Sequence, residues 1–163
     1  MRITRRMAAL AGILALGSGI ESLLAQTATQ TVTFSVVPVS RVAVSGSAGP
    51  IVVSTASAGS APTSASMGGT SYAITTNETN QKISAALDQP MPSGVSLAVA
   101  LSAPSGASST GSMTLSTASA DVVTGISSVS ASALPIVYTL SATATAAVAP
   151  GTRTVTFTIS AGQ

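Results

Sequence analysis

The sequence predicts an all-β fold: an antiparallel sandwich of about 7–9 short strands, preceded by a signal-peptide helix. Three observations carry this reading. Apolar residues alternate with Ser and Thr at a period of two along most of the chain after residue 28. Pro, Gly and Asn interrupt the alternating runs every few residues. The first 25 residues are laid out as a basic stretch, an apolar stretch and a small-residue end.

The leader comes first. Arg2, Arg5 and Arg6 form the basic region, Met7 to Ile20 is apolar and helix-prone, and Ser22 to Ala25 closes on a small residue before Gln26. Its apolar run falls short of the roughly 20 residues that span a bilayer. Cleavage is therefore expected after Ala25, dividing the chain into a signal peptide at 1–25 and a single domain at 26–163. The expected location is outside the cytoplasm: secreted, periplasmic or at the cell surface. The adjacent pair Arg5-Arg6 is ordinary in a basic region, so general secretion is favoured over twin-arginine export. No later stretch is long and apolar enough to be read as a membrane helix.

The strand signals follow in order. Thr31 to Val36 places Val32, Phe34 and Val36 on one face, and Pro38 bends or breaks the ladder. Val39 to Ser45 resumes the alternation, and Ile51-Val52-Val53 reads as a short apolar strand. Residues 54–69 are small and aperiodic, which predicts a loop. Ser71 to Thr76 and Lys82 to Asp88 flank Asn77-Glu78-Thr79-Asn80, whose turn chemistry predicts a hairpin over 71–88. Val95 to Leu101 is the cleanest strand, with Val95, Leu97, Val99 and Leu101 inward. Ser112 to Ser116 is a shorter one, with Met113 and Leu115 inward. Asp121 to Ile126 shows no clean period and reads equally as a helical turn or a loop. Ile136, Tyr138 and Leu140 mark the next strand, and Val155, Phe157 and Ile159 the last. The expected core is these inward rows, including Val32, Phe34 and Val36. A transmembrane barrel is excluded by the short strands and the want of aromatic girdles, since the chain has only Phe34, Tyr72, Tyr138 and Phe157.

Composition narrows the functional classes. The net charge of +2 belongs to the leader. Beyond it, Arg41, Lys82 and Arg153 balance Glu78, Asp88 and Asp121, leaving no basic footprint for nucleic acid. Cysteine and histidine are both absent, which removes disulfides, thiolate chemistry and the usual metal ligand and general base. Of the 163 residues, 28 are Ser and 22 are Thr. A hydroxyl-rich, nearly uncharged surface leaves self-association weakly opposed by repulsion.

Each candidate for chemistry has a plainer explanation. Glu78 and Asp88 sit at opposite ends of the expected hairpin, too far apart for a cooperating acid–base pair. Asp121 reads as a loop cap. No serine has an activating partner: Lys82 is the single lysine, and three residues before it stands Thr79. Asn77, Glu78 and Asn80 would give a calcium ion too few carboxylates. Asn77-Glu78-Thr79 fits an N-glycosylation pattern, which has little bearing on a chain of bacterial appearance. Thr31/Thr33, Thr143/Thr145 and Thr154/Thr156/Thr158 are Thr-x-Thr runs. Without the repeating coils of an ice-binding array they read as solvent faces of strands. No catalytic, cofactor or metal site is expected, and no cofactor.

Ile136 to Thr143, the loop Ala149-Pro150-Gly151-Thr152 and Thr154 to Ile159 together resemble the closing hairpin of bacterial secreted immunoglobulin-like domains. The spore-coat-protein-U-like and pilin-type families are among these. Thr31 to Val36 is similar in style to their opening strand. The resemblance implies an immunoglobulin-like sandwich and a structural role, and it carries over no functional residue.

The expected function is that of a secreted bacterial structural or interaction protein without catalytic activity, an assembly or matrix subunit. Its expected partners are other protein subunits or extracellular matrix. The alternative is a small extracellular binding module for carbohydrate or another ligand, which would need exposed aromatic platforms. The strongly alternating C-terminal strand leads to one further expectation: residues 29–37 pair within their own chain, and the free protein is a monomer.

Overall fold

The structure is a computed structural model that describes residues 26–148 and 150–163. The leader expected at 1–25 lies outside the described residues. The chain divides into two units, Met1–Ser35 and Val36–Gln163. Within the first, residues 26–35 form no strand and are exposed.

Nine strands make up the second unit: β1 (Ser40–Ser45), β2 (Ala65–Thr76), β3 (Gln81–Leu87), β4 (Val95–Leu101), β5 (Ser108–Ser109), β6 (Met113–Thr114), β7 (Ala120–Ile126), β8 (Val129–Ala142) and β9 (Val155–Ala161). No helix occurs among the described residues. All pairings are antiparallel, in a five-stranded sheet ordered β1-β2-β8-β4-β6 and a four-stranded sheet ordered β5-β7-β3-β9.

One apolar cluster joins the two sheets. Tyr72, Ile74, Val99, Leu101, Ile136 and Tyr138 come from the first; Ile83, Ala85, Leu87, Val122, Val123 and Ile126 come from the second. The rows expected to face inward on β2, β3, β4 and β8 do supply buried residues. Val155, Phe157 and Ile159 on β9 are partly buried and pack against the cluster. Val32, Phe34 and Val36 do not join it: they are 73%, 87% and 81% exposed. The expectation that residues 29–37 pair within their own chain is overturned with them, because no ladder forms there.

Other expectations change for identifiable reasons. Residues 71–88 are not a hairpin. β2 pairs with β1 and β8, while β3 pairs with β7 and β9, so Asn77 to Asn80 carries the chain from one sheet to the other. Asn80 adopts a left-handed φ of 50°, a conformation Asn tolerates better than most residues. Asp121 to Ile126 is strand, not helix or loop. Register shifts against β3 break its alternation and allow the adjacent Val122 and Val123 both to be buried. Ile51 to Val53 is not a strand; Ile51 and Val53 are partly covered and Val52 is exposed. β2 begins at Ala65, inside the expected loop, and bulges where Gly68 and Gly69 oppose Val137. Gly69, at φ 92°, holds a backbone angle that suits glycine.

Candidate functional site

Among the described residues, the side-chain carboxylates Glu78, Asp88 and Asp121 are each engaged in holding local structure. Glu78 Oε2 accepts a hydrogen bond from Ser40 Oγ at 2.7 Å, tying the 77–80 crossing to β1. Asp88 Oδ1 accepts from the Thr154 amide at 2.9 Å, at the point where β9 enters its ladder with β3. Asp121 Oδ2 pairs with Lys82 Nζ at 3.0 Å across β7 and β3. Arg153 Nε donates to the Pro90 carbonyl. These contacts place the three acids at separate points of the fold, and no group of three or more potential metal-ligating acids forms among the described residues.

Asn77 and Asn80 likewise serve the crossing. Asn77 Oδ1 accepts from the Val39 amide at 2.7 Å, and its Nδ2 donates to the Val37 carbonyl at 2.9 Å. This clamp fixes where the chain enters β1. Asn80 accepts at its carbonyl from the Gly162 amide, at 2.6 Å, and its own amide donates to Ser127 Oγ. Of the threonine runs, Thr143 and Thr145 share a hydroxyl hydrogen bond in a turn, while Thr156 and Thr158 line the outer face of β9 and Thr154 is exposed just before it.

The tyrosines are buried, Tyr72 at 1% exposure and Tyr138 at 8%. Burial pushes the Tyr72 phenol up to about 12 and raises that of Tyr138. Tyr72 Oη donates to the Ser102 carbonyl at 2.6 Å, so its polar end is satisfied inside the fold. Neither ring is a platform for a sugar. An open recess of ≈ 450 Å³ beside the 77–80 crossing is lined by Val39, Thr75, Thr76, Asn77 and Ser128 to Ser130, with no charged side chain. A second, of ≈ 310 Å³, lies around Gly94 and Thr143.

The feature that stands out is apolar. Val32, Phe34, Val36 and Val37 are all well exposed, and the first three recur at the period of one strand face. Thr31, Thr33 and Ser35 occupy the alternate positions. Among the described residues, Phe34 is the one aromatic side chain that stands in solvent. The alternation is legible in the sequence, while the partner expected for it inside the chain does not pair with it.

Among the described residues the long edge strands of the two sheets are β1 and β9, and they lie in contact with each other. On β9 the bonds from the Asp88 amide to the Thr154 carbonyl and from the Gly162 amide to the Asn80 carbonyl mark both ends of the ladder with β3. Antiparallel alternation then turns the main-chain groups of Val155, Phe157 and Ile159 away from β3, toward the edge. On β1 the bond from the Asn77 amide to the Val39 carbonyl similarly leaves those of Ser40, Val42 and Val44 facing outward. The remaining edge strands, β5 and β6, are two residues each.

No family model matches the chain, and no characterised protein or solved structure is significantly similar to it.

Proposed function

We propose that this chain is an exported bacterial structural subunit: an immunoglobulin-like β-sandwich, periplasmic or at the cell surface, that binds other protein subunits and catalyses nothing. The observation that carries this reading is the exposed alternating segment 31–37. Hiding an exposed valine or phenylalanine is worth roughly 1.5–3 kcal/mol per side chain. Three in a row on one face make a segment that gains most when covered by another surface, and an uncovered strand-forming segment is an association site.

The immunoglobulin-like part of the proposal is supported by two antiparallel sheets over a shared core and by a chain that crosses between them at 77–80. The structural role is supported by the carboxylates, each engaged in bracing a turn or a strand. Burial of both tyrosines leaves the carbohydrate-binding alternative Phe34 as its one exposed aromatic among the described residues, with no second ring beside it.

Two measurements test the proposal. Intact mass of the protein recovered after export, from cells expressing residues 1–163, is expected to show a chain beginning at Gln26; a retained Met1 overturns the export reading. Sedimentation of that exported protein is expected to show concentration-dependent association that Phe34→Asp abolishes. A protein that stays monomeric at all concentrations, with and without added extracellular extract, overturns the subunit reading.

A further inference from the structure

Independently of the subunit reading, we infer that the loop at 54–63 is a site of O-linked glycosylation, its hydroxyls taking sugar from a donor activated as a glycosyl diphosphate. No charged residue occurs from Val42 to Asn77, and within that stretch 54–63 is built from Ser, Thr, Ala, Gly and a single proline. A Ser/Thr-rich composition with proline is that of O-glycosylated segments. Two other loops share this composition, so the choice rests on what the hydroxyls do.

In those two loops the hydroxyls serve the fold. Between β4 and β7, Ser109 Oγ accepts from the Gly111 amide, and Thr110 Oγ1 donates to the carbonyls of Asp121 and Val122. Pro104 is buried there and Ala107 packs against the core. Between β8 and β9, Thr143 and Thr145 bond to each other, and the Thr143 amide donates to the Gly94 carbonyl. Beside the 54–63 loop itself, Ser64 shares a hydroxyl bond with Ser141 at 2.8 Å and Ser66 one with Thr139 at 2.9 Å.

The loop departs from this pattern. It carries five hydroxyls, on Ser54, Thr55, Ser57, Ser60 and Thr63. All five residues are exposed, and none makes a side-chain hydrogen bond among the described residues. Main chain alone closes the loop: the Thr63 amide donates to the Thr55 carbonyl at 2.8 Å and the Ser60 amide to the Ser57 carbonyl at 3.0 Å. Ala56 and Pro62 form an isolated bridge between these two bonds. Gly59 turns the tip at φ 83°, with no neighbouring atom within 4 Å of the place a Cβ would take. The backbone is thus held while the hydroxyls stand in solvent. An acceptor needs a hydroxyl nucleophile and room for a sugar and the enzyme that delivers it. Both are present, and no carboxylate on the loop repels the donor's diphosphate.

In the transfer, a hydroxyl oxygen attacks the anomeric carbon of the sugar. The new carbon–oxygen bond forms as the bond from that carbon to the diphosphate breaks. The diphosphate leaves with the electron pair, and the hydroxyl proton passes to a base of the transferase. No contact in the sandwich is lost, because none of the five hydroxyls holds one.

The test is the intact mass of the exported chain, purified from the organism that makes it, with peptide mapping before and after alkaline β-elimination. The expected mass exceeds that of residues 26–163 by whole sugar residues. Alkali is expected to release them and leave unsaturated residues within 54–63, which locates the acceptors without any variant. The combined variant Ser54→Ala, Thr55→Val, Ser57→Ala, Ser60→Ala and Thr63→Val is expected to lose the excess mass and keep the wild-type urea midpoint. A chain that begins at Gln26 with no excess mass overturns glycosylation and leaves the export reading standing. Sugar found at other residues, or retained in full by the combined variant, overturns the assignment to this loop. An excess that alkali does not release, or that corresponds to phosphate, overturns the sugar linkage. A retained Met1 with sugar on 54–63 supports this inference and overturns export instead.

Discussion

Tyr72 gives the fold a measurable alkaline limit. Its phenol, fully inside the core and donating to the Ser102 carbonyl at 2.6 Å, is pushed from its ordinary value up to about 12 by burial. An unfolded tyrosine ionises near 10. The folded state therefore holds its proton where the unfolded state has lost it. The resulting stability is fully present below about pH 10 and is lost as pH rises toward about 12. Two units correspond to about 2.7 kcal/mol in all. Roughly half of that, about 1.4 kcal/mol, is gone by about pH 11. Tyr72→Phe removes this ionisation at the cost of one hydrogen bond, about 1 kcal/mol at neutral pH. The assay is urea unfolding at about pH 8 and about pH 11, with tyrosinate absorbance recorded alongside. Wild type is expected to lose about 1.4 kcal/mol more than Tyr72→Phe between the two pH values. Tyr138, whose phenol is also raised by burial, contributes equally to both proteins and cancels in the comparison. Equal losses in wild type and Tyr72→Phe would refute the account of Tyr72 as a buried neutral phenol.

Three further outcomes are expected. Ile83, fully buried on β3 between β7 and β9, is expected to cost about 2–5 kcal/mol on truncation to Ala. Phe34→Ala should leave the urea midpoint of the dilute protein within error of wild type; a midpoint shift as large as that of Ile83→Ala would mean Phe34 belongs to the core. Gly94 holds φ at 78°, and an added Cβ would stand 2.6 Å from Thr143 Oγ1 and 3.0 Å from the Ala146 backbone. Gly94→Ala is therefore expected to destabilise by more than the roughly 1 kcal/mol of the left-handed backbone alone, since the neighbouring backbone must also shift. An unchanged thermal midpoint would show that the turn before β4 yields freely.

The parts of the fold that were legible in the sequence are those where one strand meets one core face without interruption. Val95 to Leu101 is such a strand, and its bounds agree with β4. β7 was not legible, because its register shifts replace alternation with the adjacent buried pair Val122 and Val123. Residues 65–69 were hidden by their small side chains, which signal a loop even where their backbone pairs with β8. The residues of 77–80 specify a reversal of direction but not the sheet in which the next strand lands, so they predict the turn and not the crossing between sheets. The same logic governs the candidate site. Alternation at Val32, Phe34 and Val36 encodes a strand with one apolar face and says nothing of where its partner lies.

The order of strands also decides when this protein can fold. In the five-stranded sheet, β8 lies between β2 and β4 and supplies Ile136 and Tyr138 to the core. In the other sheet, β3 is flanked by β9, the last strand in the chain. β1 can pair with β2 and β4 with β6 from residues before Ala120, but neither sheet can be joined until β8 and β9 are present. Such long-range pairing makes for slow folding, because loop-closure entropy is lost before the contacts that reward it form. A nascent chain of this topology stays open until its last third has been synthesised. Under the export proposed above, that delay keeps the chain open for passage through a channel that admits only unfolded polypeptide.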